Sequence, residues 1–195
     1  MTGMRWTATL PSSRSRANVG EHMGTRSLIA RQVGPDEYRT IFCQMEGHLE
    51  CQGAVLLEHF TTPDRVDKLL DLGHLYLLHP KLEPDPDQQH SYEKPQSSVT
   101  VAYQRDWGET DMDAEIHTLE ELDSDGGMIE FIYIFDLDNQ WKYFQGGYLE
   151  EGLRDVKADL QALDQGIDIL KGPPFDFLDD LLDDCPEEDM EICGM

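Results

Sequence analysis

Arg105, Asp106, Trp107 and Glu109 fall within five consecutive residues, directly after the apolar run 99–103. A guanidinium, two carboxylates and an indole at a strand end can hold a small anion or a base, and catalytic groups gather at such ends. Glu46 and His48, in a loop punctuated by Gly47 and Gly53, complete the candidate ligand cluster. Convergence of Arg105, Asp106 and Glu46 in a concave site indicates a small enzyme or small-ligand-binding protein. The alternative is a salt-bridged turn with Trp107 covering the edge of the core.

Other combinations are weaker. Cys43, His48, Cys51 and His59 carry side chains that suit zinc, but their order matches no compact finger or ribbon. Asp111, Asp113 and Glu115 lack the glycine and closing glutamate of a calcium loop. Asp136-Leu137-Asp138-Asn139 lies between two strongly patterned segments and reads as a hairpin turn. Nucleophile-elbow, phosphate-loop and dinucleotide patterns are absent. No catalytic residue, metal or cofactor is therefore assigned.

Charge carries more information. The formal net charge is −25, unevenly spread: residues 1–31 hold five Arg against one Glu, whereas residues 172–195 hold nine acids and no Lys or Arg. Such a chain repels nucleic acid and anionic membranes and attracts basic protein surfaces. The acidic segment also threads Phe175, Phe177, Leu178, Leu181 and Leu182 among Asp179, Asp180 and Asp183. Acids mixed with bulky hydrophobes mark a segment that folds in a partner's groove. Docking on the chain's own domain and plain disorder are the alternatives. The expected partner is a basic protein surface, and a narrower version is mimicry of nucleic acid.

The elements that must position these groups follow from pattern. Residues 25–32 and 38–43 read as two strands joined at Gly34-Pro35-Asp36. Residues 54–60 read as a short buried helix, and Thr62-Pro63 opens another that runs to Gly73. The proline-rich stretch 83–98 reads as a mobile loop, 99–103 as a strand, and 111–123 as an acidic helix. Residues 128–135 and 141–144 form the strongest hairpin signal. Leu149, Leu153, Val156, Leu160, Leu163, Ile167 and Leu170 alternate in steps of four and three, predicting one helix over 148–170 that covers the sheet or forms a homodimer seam. The fold class expected is α+β: an antiparallel sheet of about five strands with helices on one face, between a disordered extension (1–22) and an acidic tail (172–195). The domain itself spans 23–171. Four Cys without a secretory signal read as reduced thiols of a cytoplasmic protein.

Met23-Gly24-Thr25-Arg26-Ser27-Leu28-Ile29 resembles the opening of a group of small uncharacterised proteins of phages, prophages and mobile elements. The loop 43–53, the segments 55–60 and 62–73, the stretch 101–109 and the hairpin closing on Trp141 extend the likeness over residues 23–146. It departs from the pattern at His48-Leu49, where an aromatic followed by Pro is expected. The resemblance implies a cytosolic, mobile-element setting and a start at Met23, and it transfers no function. The combined reading is a non-enzymatic acidic interaction protein that binds a basic surface on a host protein.

Overall fold

The computed structural model describes residues 24–124, 128–167 and 169. The extension 1–22 and the tail residues Phe175, Phe177, Leu178, Asp179, Asp180, Leu181, Leu182 and Asp183 lie outside the described residues.

Both expected hairpins form. Strand β1 (Ser27–Gly34) pairs antiparallel with β2 (Glu37–Cys43), with Ile29 opposite Ile41. After β2 come helices α1 (Ala54–His59) and α2 (Pro63–Leu70), then the short strands β3 (Leu75–Leu77), β4 (Val101–Ala102) and β5 (Glu115–His117) and helix α3 (Leu119–Ser124). The second hairpin joins β6 (Phe131–Phe135) to β7 (Trp141–Gln145), followed by β8 (Arg154–Asp155) and α4 (Val156–Asp164).

The sheet is mixed and eight-stranded, in the order β4-β3-β2-β1-β6-β7-β8, with β5 also paired to β2. This corrects the expected five-stranded antiparallel sheet. The two hairpins meet through their first strands: β1 runs parallel to β6, from Ser27 opposite Phe131 to Arg31 opposite Phe135. All five residues of β6 are buried. A strand apolar on both faces needs cover on both, and it finds it. Ile29, Ile41, Phe131, Tyr133, Phe135, Trp141 and Tyr143 pack with Leu56, Val66, Leu69 and Val156 of α1, α2 and α4 and with Phe60 just after α1. The alternate residues Leu28, Ala30, Ile132, Ile134 and Phe144 cluster with Leu122 of α3 on the opposite face. Helices therefore cover both faces, not one.

Two predicted helices are also corrected. The seam 148–170 is not one helix. A short 3-10 turn at Leu149–Glu151 ends at Gly152, whose φ of 85° leaves the helical region, and Arg154–Asp155 then pairs with β7. Pairing with the sheet edge wins over the heptad pattern, and α4 begins only at Val156, where the Asp155 carboxylate accepts the Ala158 N–H at 2.9 Å. Leu160 and Leu163 pack against the domain's own core, Leu153 and Ile167 stay exposed, and Leu170 lies outside the described residues. The segment 111–123 splits into β5 and α3, because residues 115–117 fill the free edge of β2. The strand predicted at 99–103 shortens to β4. No described helix is long and apolar enough to cross a membrane.

Candidate functional site

The Arg105 cluster is built by a tight turn. Beyond β4 the chain makes a single wide helical turn, Tyr103–Trp107, released by Gly108 at a φ of 78°. That turn folds Asp106 back under its own strand, where Oδ2 accepts the Ala102 N–H at 2.8 Å. Arg105 donates from Nε to Asp106 Oδ1 at 2.7 Å and from Nη2 to Oδ2 at 2.6 Å. It also donates to the carbonyls of Leu82 and Thr100. His90 completes the group, with Nε2 3.2 Å from Asp106 Oδ2 and Nδ1 accepting the Gln96 N–H at 3.0 Å. The His90 and Asp106 side chains are each only 3% exposed. Burial pushes the Asp106 carboxyl up, but the Arg105 and Ala102 hydrogen bonds outweigh it and hold the group below the usual carboxylate range.

Every one of these contacts serves the fold. Arg105 ties together Leu82 and Thr100, which flank the 83–98 stretch, and Asp106 holds His90 within it. Gln96 holds its middle, accepting the Asp85 N–H and donating to the carbonyls of Asp85 and Gln88. The stretch read as a mobile loop is thus an internally bonded strap. Tyr92 seats it by stacking on Trp107 at 3.7 Å, while Tyr103 lies against the same indole at 5.4 Å. The salt-bridged turn is the reading that the geometry fits. Glu109 donates its backbone N–H to the Tyr103 carbonyl at 3.2 Å.

Glu46 and His48 stand elsewhere. Gly47 donates its N–H to Thr25 O at 2.9 Å, and the buried Tyr133 hydroxyl donates to Gly47 O at 2.8 Å. His48 bonds Thr25 Oγ1 through Nε2 and sets its ring edge-on to Phe131. Its carbonyl then accepts N–H groups from Cys51, Gln52 and Gly53, forming a wide turn over Leu49–Gly53 that leads into α1. Glu46 and His48 thus sit with Thr25, Phe131 and α1, and Arg105 and Asp106 with His90, so the six-residue cluster divides into two places.

The second place contains a cleft. It has a volume of about 300 Å³ and lies between the Leu49–Gly53 turn, α1 and the segment after β3. Glu46, Glu50 and Glu58 line it, with Met45, Val55 and Leu78 as apolar wall, and no Lys or Arg among the lining residues. The three carboxylates belong to exposed residues, and none pairs with Lys or Arg among the described residues. Gln52, 2% exposed, also lines the cleft; its Nε2 donates to Ser27 Oγ at 2.7 Å, and its Oε1 has no hydrogen-bond partner. Cys51 lies here too, its thiol pushed up by burial and by Glu46 and Glu50. Cys43, fully buried, is pushed up to about 12 by burial. Neither has the environment of a reactive thiolate. Among the described residues no group of three or more His, Cys, Asp or Glu is placed to hold a metal ion.

Glu50 and Glu58 were missed from sequence, although a signal existed. Glu50, Ala54 and Glu58 are spaced by four through a helical stretch, which puts both carboxylates on one face. His90 had no such signal: it meets Asp106 only because the strap folds back. No protein-family model matches this chain, and no curated protein or solved structure matches it either.

Proposed function

We propose that this chain is a non-catalytic acidic interaction protein, of the phage or mobile-element type, that binds a basic surface on a host protein. The observation that carries the reading is the cleft lined by Glu46, Glu50 and Glu58, three exposed carboxylates with no Lys or Arg among the lining residues. A carboxylate rim around an apolar wall suits a Lys or Arg side chain, whose aliphatic stem packs while its charged head meets the acids. The net charge of −25 adds long-range attraction that speeds encounter with a basic partner. The Arg105 cluster supports no competing enzymatic reading, since its guanidinium and carboxylate satisfy each other and the strap.

The test is affinity capture from host lysate with the full chain and with Glu46→Lys/Glu50→Lys/Glu58→Lys. The expected outcome is a basic protein held at low salt by the natural chain, released as salt rises, and not held by the charge-reversed variant. Equal capture by both would reject the cleft as the contact.

A further inference from the structure

The outer edge of β2 is closed by two different strands, and a side chain fills the break between them. Alternate N–H groups of a strand point to the same side, so those of Thr40, Phe42 and Gln44 face away from β1. Thr40 stands opposite Glu115, where the pairing with β5 ends, and the Gln44 N–H donates to Leu75 O at 3.0 Å, where β3 takes over. Between them the Phe42 N–H donates to the His74 ring, at Nδ1, over 3.3 Å. The His74 backbone fixes that ring in place: its N–H donates to Met112 O at 2.7 Å, and its carbonyl accepts the Tyr103 N–H at 3.1 Å. An imidazole that accepts at Nδ1 is neutral, with its proton on Nε2, because both nitrogens of the cation are donors. A strand carbonyl accepts at every pH, whereas this ring does so only when uncharged.

The segment beside the ring offers the cation another place. Glu115 of β5 and Asp113 before it favour the charged form, and His117 of β5 opposes it. The Glu115 carboxylate also lies 3.7 Å from His117 Nε2, and Asp113 Oδ1 accepts from Gln104 Nε2 at 3.0 Å. From β2 the ring meets Phe42 edge-on, and from the 103–107 turn its residue meets the Tyr103 N–H. Burial outweighs the two acids and holds the imidazole below the ordinary histidine range.

We propose that His74 is a pH-sensitive plug in the edge of β2: neutral, it closes the break between β5 and β3; protonated, it releases the Phe42 N–H and turns toward Glu115 and Asp113, leaving that stretch of edge open. The device is independent of the cleft at Glu46. Because the folded ring titrates below the unfolded one, closure is complete above the unfolded pKa, near about 6.5, and is lost as pH falls through the folded value.

The experiment is amide hydrogen exchange of the full chain by NMR between about pH 7.5 and about pH 4.5, each rate divided by its intrinsic value at that pH. Phe42 protection should fall about fivefold on acidification, the factor that one net hydrogen bond is worth. Ile41 and Cys43, whose N–H groups face β1, should keep theirs. The midpoint of the loss should coincide with the titration of the His74 ring, read from its own carbon-bound protons. His74→Asn sets an amide oxygen near the place of Nδ1 and does not titrate, so its Phe42 protection should stay level. Glu115→Gln removes a carboxylate that favours the cation, and should move both midpoints to lower pH. Level Phe42 protection in the natural chain, a midpoint apart from that of the ring, or the same fall in His74→Asn would each overturn the proposal. Unmoved midpoints in Glu115→Gln would overturn the turn toward the acids. Should His74→Asn not fold, the two readings on the natural chain decide.

Discussion

The turn at Arg105 and the cleft at Glu46 are both charged sites beside the ends of strands, yet they differ in how their charges are answered. At the turn, the Asp106 carboxylate meets Arg105, His90 and the Ala102 N–H, and its side chain is 3% exposed. At the cleft, Glu46 and Glu50 pair with no Lys or Arg among the described residues, and Glu58 meets only the His59 imidazole at 3.7 Å. A charge that is buried must be paired by its own fold, because the cost of leaving it unpaired is several kcal/mol. A charge left open at a concave surface is under no such constraint, and it remains available to a partner. Satisfaction, rather than residue type, separates the structural site from the cleft proposed to bind a partner.

The largest expected effect tests the buried side of that contrast. Asp106→Ala leaves Arg105 and His90 without their shared carboxylate, and should lower stability by about 3 kcal/mol, read as a shift in the urea midpoint. Loss of less than about 0.5 kcal/mol would show the turn to be as dispensable as an exposed ion pair. Trp107→Ala removes the platform on which Tyr92 seats the strap, and should cost about 1–2 kcal/mol with faster proteolysis within 83–98. Cleavage unchanged from the natural chain would mean that the strap is held by Arg105 and Gln96 alone.

Acid should act on the turn in a defined direction. The Asp106 carboxyl titrates lower in the folded chain than in the unfolded one. Its contribution is therefore present above the unfolded pKa, near 3.9, and lost as pH falls through the folded value. Urea unfolding at pH values from about 5 down to about 3 should show a shallower loss of stability for Asp106→Asn than for the natural chain. Parallel curves would remove Asp106 from the acid response. The smallest effect on stability belongs to the cleft: Glu46→Gln/Glu50→Gln/Glu58→Gln should change the midpoint by no more than about 0.5 kcal/mol. The same variant should bind an arginine-rich peptide at least about tenfold more weakly at low salt. A large stability loss would show that these acids, too, belong to the fold.

The hairpins, α1 and α2 were legible because each is decided by neighbours in sequence. Gly34-Pro35-Asp36 turns β1 into β2, and Pro63 starts α2 although the Thr62 side chain makes no capping bond. The site was half legible. Arg105, Asp106 and Trp107 were located, but their partners His90 and Tyr92 come from a strap about fifteen residues earlier that offered no periodic signal. Glu46 was found, whereas Glu50 and Glu58 were read only as parts of a loop and a helix.

By itself, the sequence determined the locally encoded elements, the excess of acid, and the apolar strands β1 and β6 as the centre of the core, but not that helices would cover both of their faces. Tertiary structure alone decided that the two hairpins meet in parallel through β1 and β6, that Arg154–Asp155 leaves the heptad helix to pair with β7, and which charges find partners. The physical reason is the range of the interactions. Turn chemistry and side-chain period act over a few residues, whereas strand order and charge pairing depend on groups brought together from tens of residues apart, where competing arrangements differ by only a few kcal/mol.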